Sequence, residues 1–341
     1  MYVNIMKAMV LDKTAQVENN PLKYKDVNIR DPEGYEILLD VISCGVCHSN
    51  LHMIEGDWAE YGLPGKLPLI PGHEIIGKVS KLGNLVDDLK IGDVVGIQPL
   101  YQACGKCEYC ITGREHLCPY GKWAGETVDG GYAENIVADS RYVNKVPDNI
   151  DYVKNSPLFC PGVTAYCAVK KAEPSPDKTV YIVGIGGVGH VAIQIAKLYG
   201  ARVVAVSTSK NHEELAYEMG ADDVISVNRE YSDIDKYKKT ADSLILFAPY
   251  DAPVMNSINF VKDGGILVQG VRGKLNYDFT TEIELRGTKI GGREDMNEVL
   301  KLASLGKIKI ESKEYRLEDA NIALQDLKHG NINGRAVLKI K

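Results

Sequence analysis

The sequence lacks an excess of positive charge, a long apolar run and an apolar leader at its start. It has 40 Lys and Arg against 46 Asp and Glu, interspersed, so it has no electrostatic footprint of a nucleic-acid-binding protein. The uncharged residues 180–196 include His190 and Gln194 and fall short of the ~20 apolar residues of a membrane span. Lys7 interrupts the first residues, which argues against a secretory signal, and a cytoplasmic chain is expected.

The length of 341 residues exceeds what one hydrophobic core usually serves, so two domains are expected. From residue 179 to residue 291, short β-branched runs alternate with helical patterns, which indicates βαβ units around a parallel sheet. The predicted strands are residues 179–183, 202–206, 223–227, 243–247 and 265–269. Before residue 157, extended runs such as 36–41 and 92–97 are broken by Gly and Pro turns, as in irregular β-rich domains.

The tail contains a helical pattern at residues 296–304, followed by segments too short to fold alone. We therefore expect it to return to the first domain. The predicted domains are a β-rich domain made of residues 1–156 and 295–341, and an inserted parallel-sheet domain of residues 157–294.

Four of the eight cysteines lie within one short segment, namely Cys104, Cys107, Cys110 and Cys118. Without a secretion signal, clustered cysteines favour a metal over disulfides. Four thiolates at this spacing can surround one tetrahedral zinc ion, although an iron–sulfur cluster also uses closely spaced cysteines. Because the protein would fill every ligand position, the sequence predicts a structural metal.

A glycine-rich turn follows the strand predicted at residues 179–183 and opens a helical pattern. Gly184 would form the tight turn, Gly186 would let a pyrophosphate approach the backbone, and Gly189 would let helix and strand pack closely. The free N–H groups of the helix N-terminus would face the phosphates. This turn, which includes Gly187 and Val188, therefore predicts a dinucleotide site.

The strand predicted at residues 202–206 is followed by Ser207, Thr208, Ser209 and Lys210. A site that prefers NAD normally has an acidic residue here to hold the ribose 2′-hydroxyl. Three hydroxyls and an ammonium could instead hold a 2′-phosphate. The sequence therefore favours NADP(H) over NAD(H), and a hydroxyl-rich loop that accepts either cofactor is the alternative.

Other potential metal ligands are scattered along the chain, at Cys47, at His73 with Glu74, and at Cys160. Their spacing alone does not join them into one site. Two cysteines and a histidine would suit a catalytic zinc with an open fourth position, whereas packed cysteines and core histidines are commoner.

Taken together, these segments resemble the zinc-containing medium-chain alcohol dehydrogenase family, in order, over essentially the whole chain. The matching segments are residues 45–52, 71–74, 129–134 and 160–166, together with the four-cysteine loop and the glycine turn. The resemblance implies an α/β protein with a GroES-like β-rich catalytic domain and a Rossmann cofactor domain built on a doubly wound parallel sheet. It also implies a small-molecule alcohol or aldehyde as substrate and a homodimer or homotetramer, and no nucleic-acid or membrane partner is expected.

The resemblance implies a catalytic zinc held by Cys47, His73 and Cys160, with Glu74 beside it either as a group that supports the ligands without binding the ion or as an occasional ligand. With the four-cysteine loop, two zinc ions per chain are expected.

The resemblance also implies roles for residues near the cofactor. The hydroxyl of Ser49 would pass the alcohol proton through the nicotinamide ribose to His52. His48 and Arg335 would contact the pyrophosphate, and Thr164 would pack against the nicotinamide. The full set of implied cofactor contacts outside the glycine turn and residues 207–210 is His48, Thr164, Val271 and Arg335.

Two positions depart from the family pattern. Asn50 replaces the usual aspartate; its amide oxygen could still accept a hydrogen bond from His73 but would lend no negative charge, so His73 should be a weaker zinc ligand. Ser207 replaces the acidic residue that selects NAD. Trp58 and Leu100 match substrate-pocket positions. The cysteines without a matching ligand role are Cys44 and Cys167.

Three other functions fit parts of the sequence. A reductase of activated double bonds, such as an enoyl thioester, shares the fold but needs no Lewis acid, and the retained Cys47, His73 and Cys160 argue against it. A polyol dehydrogenase tends to have a carboxylate where Cys160 stands. The third alternative is a zinc protein that binds the nucleotide without turnover.

Overall fold

The computed structural model describes residues 4–341, and these residues form two compact units. The first unit comprises residues 4–160, Gly292–Ser304 and Ile310–Lys341. The second comprises Pro161–Gly291 and Leu305–Lys309. The second unit is thus inserted into the first along the chain.

The helices and strands follow in chain order. The first unit opens with β1 (Asn4–Leu11), β2 (Leu22–Ile29), β3 (Glu36–Val46), α1 (His48–Glu55), β4 (Glu74–Leu82), β5 (Val94–Ile97), β6 (Leu100–Gln102), α2 (Glu108–Ile111), β7 (Lys122–Trp123), β8 (Asn135–Asp139) and β9 (Asn144–Lys145). The second unit contains α3 (Pro161–Ala172), β10 (Thr179–Val183), α4 (Gly189–Leu198), β11 (Arg202–Ser207), α5 (Lys210–Glu218), β12 (Asp223–Ser226), β13 (Ala241–Leu246), α6 (Asp251–Asn256), β14 (Val261–Gln269) and β15 (Glu284–Gly287). The tail adds α7 (Arg293–Ser304), β16 (Ser312–Arg316), α8 (Ala320–Lys328) and β17 (Arg335–Lys339).

Short 3-10 helices occur in both units. They span Val17–Asn19, Ala59–Tyr61, Glu115–Leu117, Ser140–Tyr142, Ser156–Phe159, Asp235–Tyr237, Ser257–Phe260, Phe279–Thr281 and Leu317–Asp319. In the part of the chain that the structure describes, no helix is both long and apolar enough to span a bilayer.

The main sheet of the first unit is built around the long strand β3. Its order over residues 4–341 is β16-β17-β3-β4-β5-β9, and β8 pairs with β3 as well. Both β4 and β17 run antiparallel to β3, so the start of each lies at the end of β3. The end of β3 and the starts of β4 and β17, which are distant in sequence, therefore meet at the same end of these strands.

The second unit is a parallel sheet in the order β12-β11-β10-β13-β14-β15. Neighbouring strands are all paired in parallel, as the alternation of β-branched runs and helices predicts. The inner strands β10, β11 and β13 are almost wholly buried and carry residues such as Val183, Val206 and Leu246, whereas the outer strands β12 and β15 are largely exposed. The chain leaves the first strand, β10, at the glycine turn.

A close contact between Gly96 in β5 and Phe159 fixes the turn that precedes Cys160. Phe159 is fully buried, and a Cβ atom on Gly96 would overlap its ring. No other side chain would leave this space free. The Gly96–Phe159 contact therefore positions the backbone of Cys160, the residue that follows Phe159.

We predict that Gly96→Ala lowers the free energy of unfolding by about 1–3 kcal/mol, because the added methyl group overpacks the core against Phe159. Gly287→Ala is the matched control, since open space surrounds the position of its Cβ. Urea denaturation followed by circular dichroism measures both. A denaturation midpoint of Gly96→Ala equal to that of wild type would contradict the close packing.

Candidate active site

Four side chains able to bind a metal converge in the interior of the first unit. Cys47, His73, Glu74 and Cys160 are all buried, and their donor atoms lie within 4.8 Å of one another. Cys47 directly follows β3, and Glu74 begins β4. The antiparallel pairing of Gly45 with Glu74 brings these two segments together. The structure thus unites the residues that the resemblance named as zinc ligands.

The chemistry of these four donors fits a zinc ion. The Nε2 atom of His73 is buried and has no hydrogen-bond partner within residues 4–341. The nearest carboxylate oxygen, Oε1 of Glu74, is 3.9 Å from it. A buried nitrogen without a partner is costly unless something binds it. Two thiolates and an imidazole are ligands that zinc uses in catalytic sites.

A buried ion pair joins Glu74 to Arg335 at the start of β17. Nε of Arg335 donates to Oε2 of Glu74 over 3.2 Å, and its Nη2 donates to Oε1. A Cβ atom on Gly45 would overlap the Glu74 carboxyl group, so glycine is needed there. Burial raises the pKa of Glu74 to about 7, and the charge of Arg335 opposes this rise.

The pKa values of Cys47 and His73 are shifted in opposite directions, and both shifts favour the charged form of the side chain. Hydrogen bonding from Cys160 lowers the pKa of Cys47 well below its usual range, although burial opposes this, and Arg335 lowers it further. Burial tends to lower the pKa of His73, but the neighbouring Cys47 outweighs it and the net pKa is raised. Of the two buried cysteines of this site, Cys47 is therefore the one that more readily becomes a thiolate, since the hydrogen bond with Cys47 and burial raise the pKa of Cys160.

Asn50 approaches His73 with its amide nitrogen, and not with its oxygen as expected from the sequence. Backbone N–H of Cys47 and the hydroxyl of Tyr132 each donate to Oδ1 of Asn50 over 3.4 Å. The amide nitrogen of Asn50, rather than its oxygen, faces Nδ1 of His73 at 3.5 Å. An unanticipated carboxylate, Oε1 of Glu126, lies 3.7 Å from the same Nδ1 atom.

The two residues of the expected proton relay lie on α1. The thiol of Cys47 donates to Oγ of Ser49 over 3.4 Å, which places this hydroxyl beside the cluster of metal-binding side chains. Nδ1 of His52 is 2.8 Å from Oδ2 of Asp57, and its ring stacks on Trp58. The sequence did not point to Asp57 as the partner of His52.

Two residues expected at the pyrophosphate belong to this unit. Burial and, to a smaller extent, the charge of Arg335 together lower the pKa of His48 to about 4, so the ring is neutral near pH 7. Arg335 itself is almost wholly buried against Glu74. Their contacts with a cofactor stay predictions.

The four-cysteine loop forms the second metal-binding group. The sulfur of Cys110 lies 3.5 Å from that of Cys107 and 3.8 Å from that of Cys104. A zinc tetrahedron with Zn–S bonds of ~2.3 Å has edges of ~3.8 Å, which matches these separations. Cys118 completes the group, and all four sulfurs lie within 4.8 Å of one another. Cys44, by contrast, belongs to neither group of donors; it is fully buried, and burial raises its pKa well above its usual range.

The glycine turn of the second unit has the geometry that a nucleotide site requires. Gly184 adopts a φ of 92°, which favours glycine, and a Cβ on Gly189 would overlap the carbonyl oxygen of Gly184. Gly186 has open space where its Cβ would stand. The turn runs through Gly187 to Val188, and α4 begins at Gly189.

The loop after β11 is organised around Ser207. Its hydroxyl accepts a hydrogen bond from the backbone N–H of Ser209 over 3.1 Å and donates to the carbonyl of the same residue over 3.0 Å. Lys210 begins α5, and Thr208 is exposed. Of the remaining expected cofactor contacts, Thr164 is buried in α3 and Val271 packs against the core of the second unit.

Comparison with known proteins agrees with this arrangement. A family model described as Alcohol dehydrogenase GroES-like domain matches residues 33–148, and one described as Zinc-binding dehydrogenase matches residues 187–304. An alcohol dehydrogenase from Geobacillus stearothermophilus is 41% identical over 350 residues, which cover 98% of this chain and 99% of that relative.

Solved structures show the same fold. Acetophenone reductase from Geotrichum candidum, in complex with NAD, has a TM-score of 0.88 at 29% identity, covering 99% of this chain and 98% of that one. CAD from Helicobacter pylori, complexed with NADP(H), has a TM-score of 0.87 at 26% identity, covering 99% of each chain. These matches confirm the fold class predicted from the sequence. The chain therefore belongs to the zinc-containing medium-chain alcohol dehydrogenase family.

Proposed function

We propose that this chain is a zinc-dependent alcohol dehydrogenase that transfers a hydride between NAD(P)(H) and a primary or secondary alcohol or an aldehyde. One observation carries the proposal: Cys47, Cys160 and the unpartnered Nε2 of His73 converge in the interior of the β-rich unit. A reductase of activated double bonds has no use for such a set of ligands. The convergence therefore favours alcohol chemistry.

The residues of the chain have distinct tasks in this reaction. Zinc at this site would supply Lewis acidity, which favours loss of the alcohol proton and polarises a carbonyl in the reverse direction. Ser49 lies beside the proposed ligand Cys47, and its hydroxyl would receive that proton. His52 would be the outer acceptor, and its bond to Asp57 holds the orientation of its ring.

The proposal extends to cofactor, metal and domains. It assigns two zinc ions to each chain, one catalytic and one structural, and NADP(H) in preference to NAD(H). The support for NADP(H) is the uncharged Ser207, which ends β11 where a carboxylate would select NAD. The cofactor domain would span residues 157–294. The homodimer or homotetramer and the cytoplasmic location stay predictions.

We predict turnover of short, branched or aromatic alcohols in a spectrophotometric screen with both cofactors, and two zinc ions per chain by elemental analysis. Cys47→Ala should abolish turnover and leave the fold intact. Cys110→Ala should lower thermal stability, because it removes one ligand of the closed site.

The two cysteine variants are controls for each other. Reversed phenotypes would contradict the assignment of catalytic and structural sites. Iron in the four-cysteine loop, or about one zinc per chain in wild type, would refute the assignment of two zinc ions. Absence of turnover with every alcohol and aldehyde would favour the zinc protein that binds nucleotide without turnover.

We predict that Ser49→Ala lowers kcat far more than His52→Ala, because solvent can partly replace an outer proton acceptor but not the hydroxyl beside the substrate. Positioned acid–base groups contribute ~10²–10⁴-fold, and the loss in Ser49→Ala should lie in that range. Ser49→Thr is the matched control, since it keeps a hydroxyl. Steady-state kinetics measure all three variants, and small, equal losses in both alanine variants would show that the proton leaves by another route.

We predict that Ser207→Asp shifts cofactor preference from NADP(H) toward NAD(H). A carboxylate accepts hydrogen bonds from the ribose hydroxyls but repels a 2′-phosphate, by roughly 4 kcal/mol for two like charges a few ångströms apart before screening. Salt and side-chain movement reduce this, so the ratio of kcat/KM for the two cofactors should change by about 10- to 100-fold. The measurement is that ratio at fixed ionic strength.

Ser207→Asn is the control for this experiment, because it has the size of aspartate without the charge. It should change the ratio much less. Lys210→Ala should act in the same direction as Ser207→Asp but more weakly, since an exposed flexible ammonium contributes little. An unchanged ratio in Ser207→Asp would show that this loop does not contact the 2′ position.

A further inference from the structure

The side chain of Asn50 is held in one orientation by two hydrogen-bond donors. The backbone N–H of Cys47 and the hydroxyl of Tyr132 both donate to Oδ1, each over 3.4 Å. Turning the amide by half a rotation would set its NH₂ group against the backbone N–H of Cys47, which can only donate, whereas the hydroxyl of Tyr132 could also accept. The NH₂ group therefore stays directed at His73, 3.5 Å from Nδ1.

This orientation is unsuited to a histidine that binds zinc through Nε2. Such a histidine is neutral and carries its proton on Nδ1, which then needs an acceptor. Asn50 offers Nδ1 a second donor instead. The ring consequently needs an acceptor or a negative charge from elsewhere in the chain.

Glu126 is the residue that meets this need. Its Oε1 atom lies 3.7 Å from Nδ1 of His73, and its side chain is only 14% exposed. This distance is longer than a hydrogen bond, so the interaction is that of a carboxylate charge close to a poorly solvated ring. The opposite nitrogen, Nε2, is the atom without a partner in the described chain.

The backbone around Glu126 is firmly attached to the segment that carries His73. N–H groups of Gly130, Gly131 and Tyr132 donate to the carbonyls of residues 70, 72 and 71 over 2.7, 3.0 and 2.9 Å. Gly125 packs so closely on Gly72 that a Cβ atom would overlap the backbone. Glu126 is therefore set beside His73 by the fold and not by a flexible surface loop.

We propose that Glu126 is the positioning residue of His73 and supplies the negative charge that Asn50 does not. The carboxylate orients the imidazole, stabilises the proton on Nδ1 and so makes Nε2 a stronger ligand. The proposal rests on the proposed zinc at Cys47, His73 and Cys160. It places the charge on a different segment of the first unit, about 75 residues further along the chain than Asn50.

The test is the affinity of each site for zinc, measured by competition with a chromophoric chelator. Glu126→Gln keeps the shape of the side chain and removes its charge. It should raise the Kd of the catalytic site by ~10- to 100-fold, as loss of such a partner does elsewhere, and leave the four-cysteine site unchanged. Cys47→Ala, which retains the four-cysteine site, identifies which constant belongs to which site.

A second substitution separates charge from shape. In the Glu126→Gln background, Asn50→Asp gives Cys47 and Tyr132 an oxygen to donate to and presents a second, charged oxygen to Nδ1. This double variant should regain most of the lost affinity, and the visible spectrum of its cobalt(II) form should return to that of wild type. Glu60→Gln, an exposed glutamate elsewhere in the first unit, is the matched control and should change neither Kd.

Two results would overturn the proposal. One is a wild-type Kd for the catalytic site in Glu126→Gln, and the other is failure of Asn50→Asp to restore affinity in a folded double variant that retains its structural zinc. If wild-type protein binds zinc only at the four-cysteine loop, the proposed function fails, and this inference fails with it.

Discussion

The buried ion pair between Glu74 and Arg335 is the interaction on which the candidate active site depends. Two cysteines, a histidine and a carboxylate are gathered where water is largely excluded, and burial alone would keep Glu74 protonated near neutral pH. Arg335 stabilises the charged form, and it does so from the last strand of the chain. Losing one member of such a pair typically costs about 3–5 kcal/mol, because the other charge stays buried and uncompensated. The first unit therefore needs its C-terminal tail to complete the site.

Strand register explains why these residues meet. Val46 is paired with Ala336 on one side of β3, and Gly45 is paired with Glu74 on the other. A shift of one residue in either ladder would turn Arg335 or Glu74 to the opposite face of the sheet. Such long-range pairing leaves no trace in local sequence spacing. This is why spacing alone could not join Cys47, His73 and Cys160, whereas the family resemblance could.

Structural features that depend on only a short stretch of residues could be predicted from the sequence. Residues 179–183 form β10 as predicted, because a β-branched run followed by a glycine turn encodes its own local structure. The four-cysteine loop closes on itself for the same reason. The strand Glu284–Gly287 was missed: it is short and mostly exposed, and it lies at the edge of the sheet, so burial gave it no apolar pattern. Asp57 and Glu126 were missed as well, since a carboxylate beside a histidine is recognisable only in three dimensions.

Asn50 and Glu126 show the limit of transferring roles by aligned position. Compared position by position, Asn50 indicates a weakened histidine ligand, because the residue that lends negative charge in the family has become neutral. The electrostatic requirement, however, belongs to Nδ1 of His73 and not to any position in the chain. Any segment that passes within a few ångströms of that atom can satisfy it, and the turn that carries Glu126 does so at 3.7 Å. Asn50 itself accepts hydrogen bonds from the backbone N–H of Cys47 and the hydroxyl of Tyr132. One aspartate could both accept the hydrogen bonds at the start of α1 and supply negative charge beside the histidine. Here Asn50 performs the first task and Glu126 the second.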